Sequence, residues 1–150
     1  MATERERPYS QFNYRVSWDG LDENSFQAGF QEVSGLGLEI TVQEYRAGNF
    51  SENAPIKITG LSKVPDVTFK RGLIGSLDLY NWLNEVRNGS QEQLKTVNVK
   101  LMSEDRNTIA QEWKLTAARP MKYTGPTLSG TATEVAVEEL VLAAERIDVA

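Results

Sequence analysis

The clearest signal along this chain is alternation. Phe12, Tyr14, Val16 and Trp18 alternate with Asn13, Arg15, Ser17 and Asp19, which puts successive side chains on opposite sides of a half-buried strand. Asp19-Gly20 supplies a turn. Residues 26–33 form a second predicted strand. Residues 38–46 form a third, with Leu38, Ile40 and Val42 on a dry face and Glu39, Thr41 and Gln43 on a wet one. Gly35 and Gly37 lie between the last two. Glycines inside strand-like sequence predict a bulge or sharp bend rather than a hairpin.

The pattern then lapses. Residues 47–64 carry Gly, Pro, Asn and Ser with scattered apolar side chains, and read as a long loop with a short strand at 56–59. Loops this long in a small domain are uncommon and usually functional. Phe50, Ile56, Ile58 and Leu61 require burial, either on the subunit itself or on a neighbour. Alternation resumes at 65–71, with Val67 and Phe69 set against Asp66, Thr68 and Lys70. Residues 76–88 predict a helix, capped by Ser76, with Asp78 in its first turn and Asn88-Gly89 at its end. Leu79, Leu83, Val86 and Trp82 form its packing stripe.

Val97, Val99 and Leu101 mark a strand that turns through residues 104–107 and returns over 109–118 as a hairpin. Residues 120–123 are short and extended, and 125–130 form a loop. Residues 133–147 have helix-favouring Ala, Glu and Leu, but Val135, Val137, Val141 and Ala143 alternate, so a strand is expected.

At 150 residues the chain is one domain's worth, expected to span 1–150 with a flexible charged arm at 1–8. No apolar run approaches the roughly 20 residues of a membrane span, and the charged N-terminus does not resemble a secretory signal. Cysteine and histidine are both absent, which removes disulfides, thiolate chemistry, imidazole bases and His metal ligands together. A net charge of −5 argues against sequence-specific nucleic-acid binding. The carboxylate pairs Asp19/Asp22, Glu104/Asp105 and Glu138/Glu139 read as solvated surface charge, the last pair pointing to opposite faces of a strand. No catalytic constellation, cofactor motif or metal spacing emerges, so no enzyme, cofactor or metal is expected.

Five blocks carry a resemblance. PYSQFNYRVSWDG at 8–20, AGFQEVSGLGLEITVQEYRAG at 28–48, KITGLSKVPDVTFKRG at 57–72, SLDLYNW at 76–82 and RPMKYTGPTLSGTATEVAVEELVLAAE at 119–145 together resemble the inner tail-tube proteins of contractile phage tails and extracellular contractile injection systems. The resemblance implies a mainly β antiparallel barrel or sandwich with one α-helix, similar to type VI secretion tubes, and a strand at 133–147. It implies a structural subunit whose homohexameric rings stack into a hollow tube, driven through a target envelope by a contracting sheath and carrying cargo. A baseplate adaptor or tube-end protein on the same fold is the alternative. Implied partners are further copies, a sheath protein, baseplate, spike and terminator proteins, and cargo. The implied setting is synthesis in the bacterial cytoplasm and assembly into a phage tail or tail-like particle. On this reading the loop at 47–64 contacts neighbouring subunits or rings, with Phe50, Ile56, Ile58, Leu61 and Lys63 as contact candidates. Glu39, Thr41, Gln43, Asp66, Thr68, Lys70, Asn98 and Lys100 are candidates to line a polar lumen.

Overall fold

The alternating segments fold as strands in a computed structural model that describes residues 2–150. Met1, part of the expected arm, lies outside the described residues. The strands are β1 (Tyr14–Ser17), β2 (Phe30–Ser34), β3 (Glu39–Tyr45), β4 (Ile56–Lys63), β5 (Val67–Gly72), β6 (Lys95–Met102), β7 (Ile109–Thr124), β8 (Val137–Ala143) and β9 (Arg146–Val149). A 3-10 turn, Phe26–Ala28, occupies the start of the expected second strand. The helix α1 spans Asp78–Arg87.

Seven strands form one antiparallel sheet in the order β1-β6-β7-β8-β5-β2, with β9 added to β7. The sixteen residues of β7 absorb both the expected return strand and the short extended segment after it. The N-terminal part of β7 pairs with β6 and β9, and residues 119–124 pair with β8. Between the two parts the sheet folds over. Ala117 takes φ 55°, and the β8 register shifts between Pro120 and Lys122, where proline cannot donate to a ladder.

Two half-sheets therefore face one another, β1-β6-β7-β9 and β7-β8-β5-β2. The edge strands β1 and β2 do not pair, so the sheet is a folded sandwich rather than a closed barrel. The Tyr14 hydroxyl donates to the Phe30 carbonyl at 2.6 Å across that gap.

Between the halves, Val16, Val97, Val99 and Leu115 from one side meet Val67, Phe69, Leu140 and Leu142 from the other, all essentially inaccessible. Trp18, Phe30, Phe69 and Trp82 form an aromatic cluster with ring centroids 5.4–5.9 Å apart. Each such ring contributes both buried area and edge-on contacts. Leu79 and Trp82 bury one side of α1, and Trp82 Nε1 donates to the Gln93 carbonyl at 2.9 Å. The cap position of α1 is Leu77, which offers no capping oxygen. Ser76 stands one residue earlier, and its hydroxyl donates to Asp78 Oδ1 at 2.9 Å. Residues 3–10 run along the turn between β6 and β7. There Thr3 N donates to the Ala110 carbonyl at 2.9 Å, and Arg5 pairs with Glu104 at 2.7 Å.

The glycine bend is real and abrupt. Gly35 has φ +89°, and a Cβ there would sit 2.2 Å from the Asp66 carbonyl oxygen. Only a residue without a side chain permits that approach. Gly35→Ala should therefore lower stability by about 2–3 kcal/mol through left-handed strain and backbone displacement. Urea unfolding of the purified variant checks this, and a loss below about 0.5 kcal/mol would contradict it.

Candidate functional site

β2 and β5 are neighbours in the main sheet, and the chain between them leaves it entirely. Past the Gly35 bend, β3 and β4 pair only with each other. Every residue of both strands is exposed. The stretch expected to be a loop with a four-residue strand is thus mostly ordered ribbon: β4 runs for eight residues, and only 46–55 form the connection. Its low periodicity comes from Gly60, where the register shifts between Ile40 and Val42, so that alternation on one strand breaks against the other.

The apolar side chains of this ribbon have nothing to pack on. Ile40, Val42, Ile56 and Ile58 are each half exposed, and Leu61 is 85% exposed. The expected dry face of Leu38, Ile40 and Val42 is therefore uncovered in a single copy. Cross-strand pairing matches Glu39 with Lys63 and Glu44 with Lys57, so much of the ribbon's charge is balanced internally. At the end of β3, the Tyr45 and Phe50 rings meet at 6.1 Å, edge to face, near the tip.

The predicted contact residues Ile56, Ile58, Leu61 and Lys63 all lie on β4, and Phe50 lies in the tip connection. The predicted lumen residues do not share one surface. Glu39, Thr41 and Gln43 are on the ribbon, and Asp66 is at its root. Thr68 and Lys70 point outward from β5, where Lys70 Nζ is 3.4 Å from Glu32. Asn98 and Lys100 point outward from β6, where Lys100 Nζ is 3.4 Å from Glu23. Because the core lies between the half-sheets, the β5 and β6 sets face opposite directions.

At the far end of β5 sits a buried ionic network that the sequence reading missed. Arg71 and Glu138 are each 1% exposed, whereas Glu138 was expected on a solvated face. The register sets Arg71 opposite Glu138, both pointing into the sandwich. Only Glu139 faces outward. Arg71 Nε and Nη2 donate to Glu138 Oε1 at 2.8 and 2.5 Å, Nη2 to Asp78 Oδ1 at 2.7 Å, and Nη1 to the Gln27 carbonyl at 2.8 Å. The Tyr123 hydroxyl donates to Glu138 Oε2 at 2.7 Å. One guanidinium thus ties β5 to β8, α1 and the 3-10 turn, its planar fork matching several acceptors at once.

Burial alone would raise the Asp78 carboxyl, but hydrogen bonds from Arg71 and Ser76 outweigh it and hold it below the ordinary carboxylate range. Burial, then the bond to Glu138, pushes the Tyr123 hydroxyl up to about 12. Among the described residues no group of three or more Asp or Glu is placed to hold a metal ion, and no helix is long and apolar enough to cross a membrane. An open groove of about 620 Å³ lies at the unpaired β1 and β2 edges, lined by Tyr14, Val33, Leu36, Leu101 and Trp113 among others.

Residues 10–148 match the family model of the T4-like virus tail tube protein gp19. No curated protein matches by sequence. A chain of the PVC sheath-tube complex, an extracellular contractile injection system in its extended state, is 27% identical, with TM-score 0.83, over 97% of this chain and 93% of that one. A chain of the PVC sheath/tube terminator in the extended state is also 27% identical, with TM-score 0.83, over 97% and 98%. Hcp1 from Flavobacterium johnsoniae shares the fold at 18% identity, TM-score 0.55, over 91% and 93%.

Arg71→Met should cost about 3–5 kcal/mol, because it leaves the Glu138 carboxylate buried and unpaired. Adding Glu138→Leu should recover most of that loss in the same denaturation experiment. Tyr123→Phe should cost about 1–2 kcal/mol near neutrality. The Tyr123 hydroxyl is raised, so its contribution is complete below pH 10 and disappears as the pH rises through about 12. The gap between wild type and Tyr123→Phe should close over that window, as read by thermal unfolding in a pH series.

Proposed function

From the premise that this chain belongs to the T4-like virus tail tube protein gp19 family, a structural tube subunit, we propose that it is one tail-tube domain whose copies close into a ring and stack into the hollow inner tube of a contractile tail or injection system. The observation that carries this is the β3–β4 ribbon, which is fully exposed and paired only with itself. An isolated two-stranded hairpin is marginal in water and gains stability from a third strand or an apolar surface. On this reading the missing surface belongs to another copy, and Phe50, Ile56, Ile58, Leu61 and Lys63 are its contact residues.

Ring closure uses the free edges of the half-sheet β7-β8-β5-β2. The far side of β2 is unpaired, and the β6 ladder on β7 reaches only to Ala118, leaving residues 119–124 open on that side. Pairing one edge with the other on the next copy satisfies both edges of that half-sheet. The outward face of that half-sheet, with Thr68 and Lys70, then lines the lumen together with wet positions of the ribbon, Glu39, Thr41 and Gln43. Asn98 and Lys100 face outward, toward a sheath. Six copies of a chain with net charge −5 carry −30 per ring, which disfavours retention of anionic cargo. Sheath, baseplate, spike and terminator proteins are the expected partners. The expected route is synthesis in the bacterial cytoplasm followed by assembly into a phage tail or tail-like particle.

Deleting residues 50–58 should leave a folded subunit that forms no tubes by negative-stain electron microscopy, while the full chain forms them at high concentration. Full-length tubes from the deletant would exclude the ribbon as the assembly element. A full chain that never polymerises alone would favour the tube-end reading, which the equal similarity to a chain of a sheath/tube terminator structure also supports.

A further inference from the structure

Two segments at one end of the sandwich have little core to hold them. The 3-10 turn buries only Ala28, and Phe26 within it is 92% exposed. Between β5 and α1, Leu73, Ile74 and Leu77 are all exposed. Neither segment closes itself with a side-chain cap: Ser25 before the turn and Leu77 before α1 make no capping hydrogen bond. Leu79 and Trp82 hold α1 down along its length, but apolar burial is non-directional and does not fix where a first turn begins. The position of both segments therefore falls to polar contacts.

Those contacts converge on Arg71, a buried charge for which ring closure and stacking have no direct use. Its Nη1 donates to the Gln27 carbonyl in the 3-10 turn at 2.8 Å and to Asp78 Oδ2, in the first residue of α1, at 3.1 Å. Its Nη2 donates to Asp78 Oδ1 at 2.7 Å, and Nε and Nη2 hold Glu138 Oε1 on β8. The two segments are also tied to each other, since Gln27 Nε2 donates to Ser76 Oγ at 3.0 Å and Ser76 Oγ to Asp78 Oδ1 at 2.9 Å. Among the described residues no buried side-chain nitrogen or oxygen lacks a partner. A guanidinium is planar and rigid. Once Nε and Nη2 are seated on Glu138, the direction of Nη1 is set, and the turn and the helix start must meet it there.

We propose that Arg71 is a positioning residue for assembly: its fork selects one arrangement of the 3-10 turn and the first turn of α1, and contributes that uniqueness rather than stability. A buried ion pair adds little over apolar residues of similar volume, so the two contributions are separable. The assembly consequence rests on the tube reading; the local one does not. A polymer repeats one subunit shape. If only a fraction of subunits hold the competent arrangement, the apparent affinity between copies falls by that fraction.

The test compares variants of the full chain. Arg71→Met with Glu138→Leu removes the fork without leaving a buried charge, so its urea midpoint should stay near that of wild type. Hydrogen exchange should nonetheless quicken at least about tenfold at the Ala28, Gly29, Leu73 and Asn81 amides, which donate within or beside these segments, while β6 amides stay protected. The concentration needed for tubes in negative-stain microscopy should rise by about the same factor. Arg71→Lys, a cation without the fork, should fall between the double variant and wild type. Val97→Ala, in the opposite half-sheet, is the control: it should lower the urea midpoint, leave those amides no faster relative to β6, and still form tubes. Wild-type exchange at those amides in the double variant would overturn the positioning role. Quickened exchange with tubes at the wild-type concentration would overturn the link to assembly. A wild-type chain that never forms tubes would overturn the tube reading, and the exchange result would still decide the positioning role.

Discussion

A ribbon two strands wide cannot bury either of its faces, and the rest of this structure follows from that constraint. The Gly35–Asp66 approach turns β3 and β4 out of the sheet to which β2 and β5 belong, so some fifteen strand residues gain hydrogen bonds but no core. Burial is the main favourable term in folding, and here it is missing from an element that is nonetheless well paired. The sandwich supplies enough core for the chain to fold. On the proposed tube reading, the ribbon's apolar side chains are buried between copies.

The sandwich, for its part, is divided by how it spends its polar groups. One end is opened by the bend. The other is fastened by a guanidinium that reaches two carboxylates and a backbone carbonyl. A buried pair of this kind adds little net stability over apolar residues of similar volume, but it is directional. The Arg71 fork fixes where α1 starts and where the 3-10 turn sits, which hydrophobic contacts alone leave adjustable. The aromatic cluster around Trp18 fills the space between these two ends.

Much of this was legible from residue order. Strict alternation placed β1, β5, β6 and the first part of β7, and the helix stripe of Leu79 and Trp82 marked the buried side of α1. The bend at Gly35 followed from glycine's tolerance of positive φ. β4 was less legible because the Gly60 bulge breaks its period and no core face imposes one. Glu138 looked like surface charge because a pair that neutralises itself across a ladder leaves no trace in a single strand; the signal lay in the parity of two strands, which places Arg71 and Glu138 on the inward side opposite each other. The lumen candidates on β5 and β6 share the same wet phase, and phase cannot tell which side of a folded-over sheet a strand will occupy.

The fold-over at Ala117 sends the two outer surfaces of the sandwich in opposite directions from a single continuous strand. A push applied to one wall is therefore carried to the other through covalent backbone as well as through packed side chains. Such a wall resists delamination under shear, a mechanical property that two separately hydrogen-bonded layers would not share.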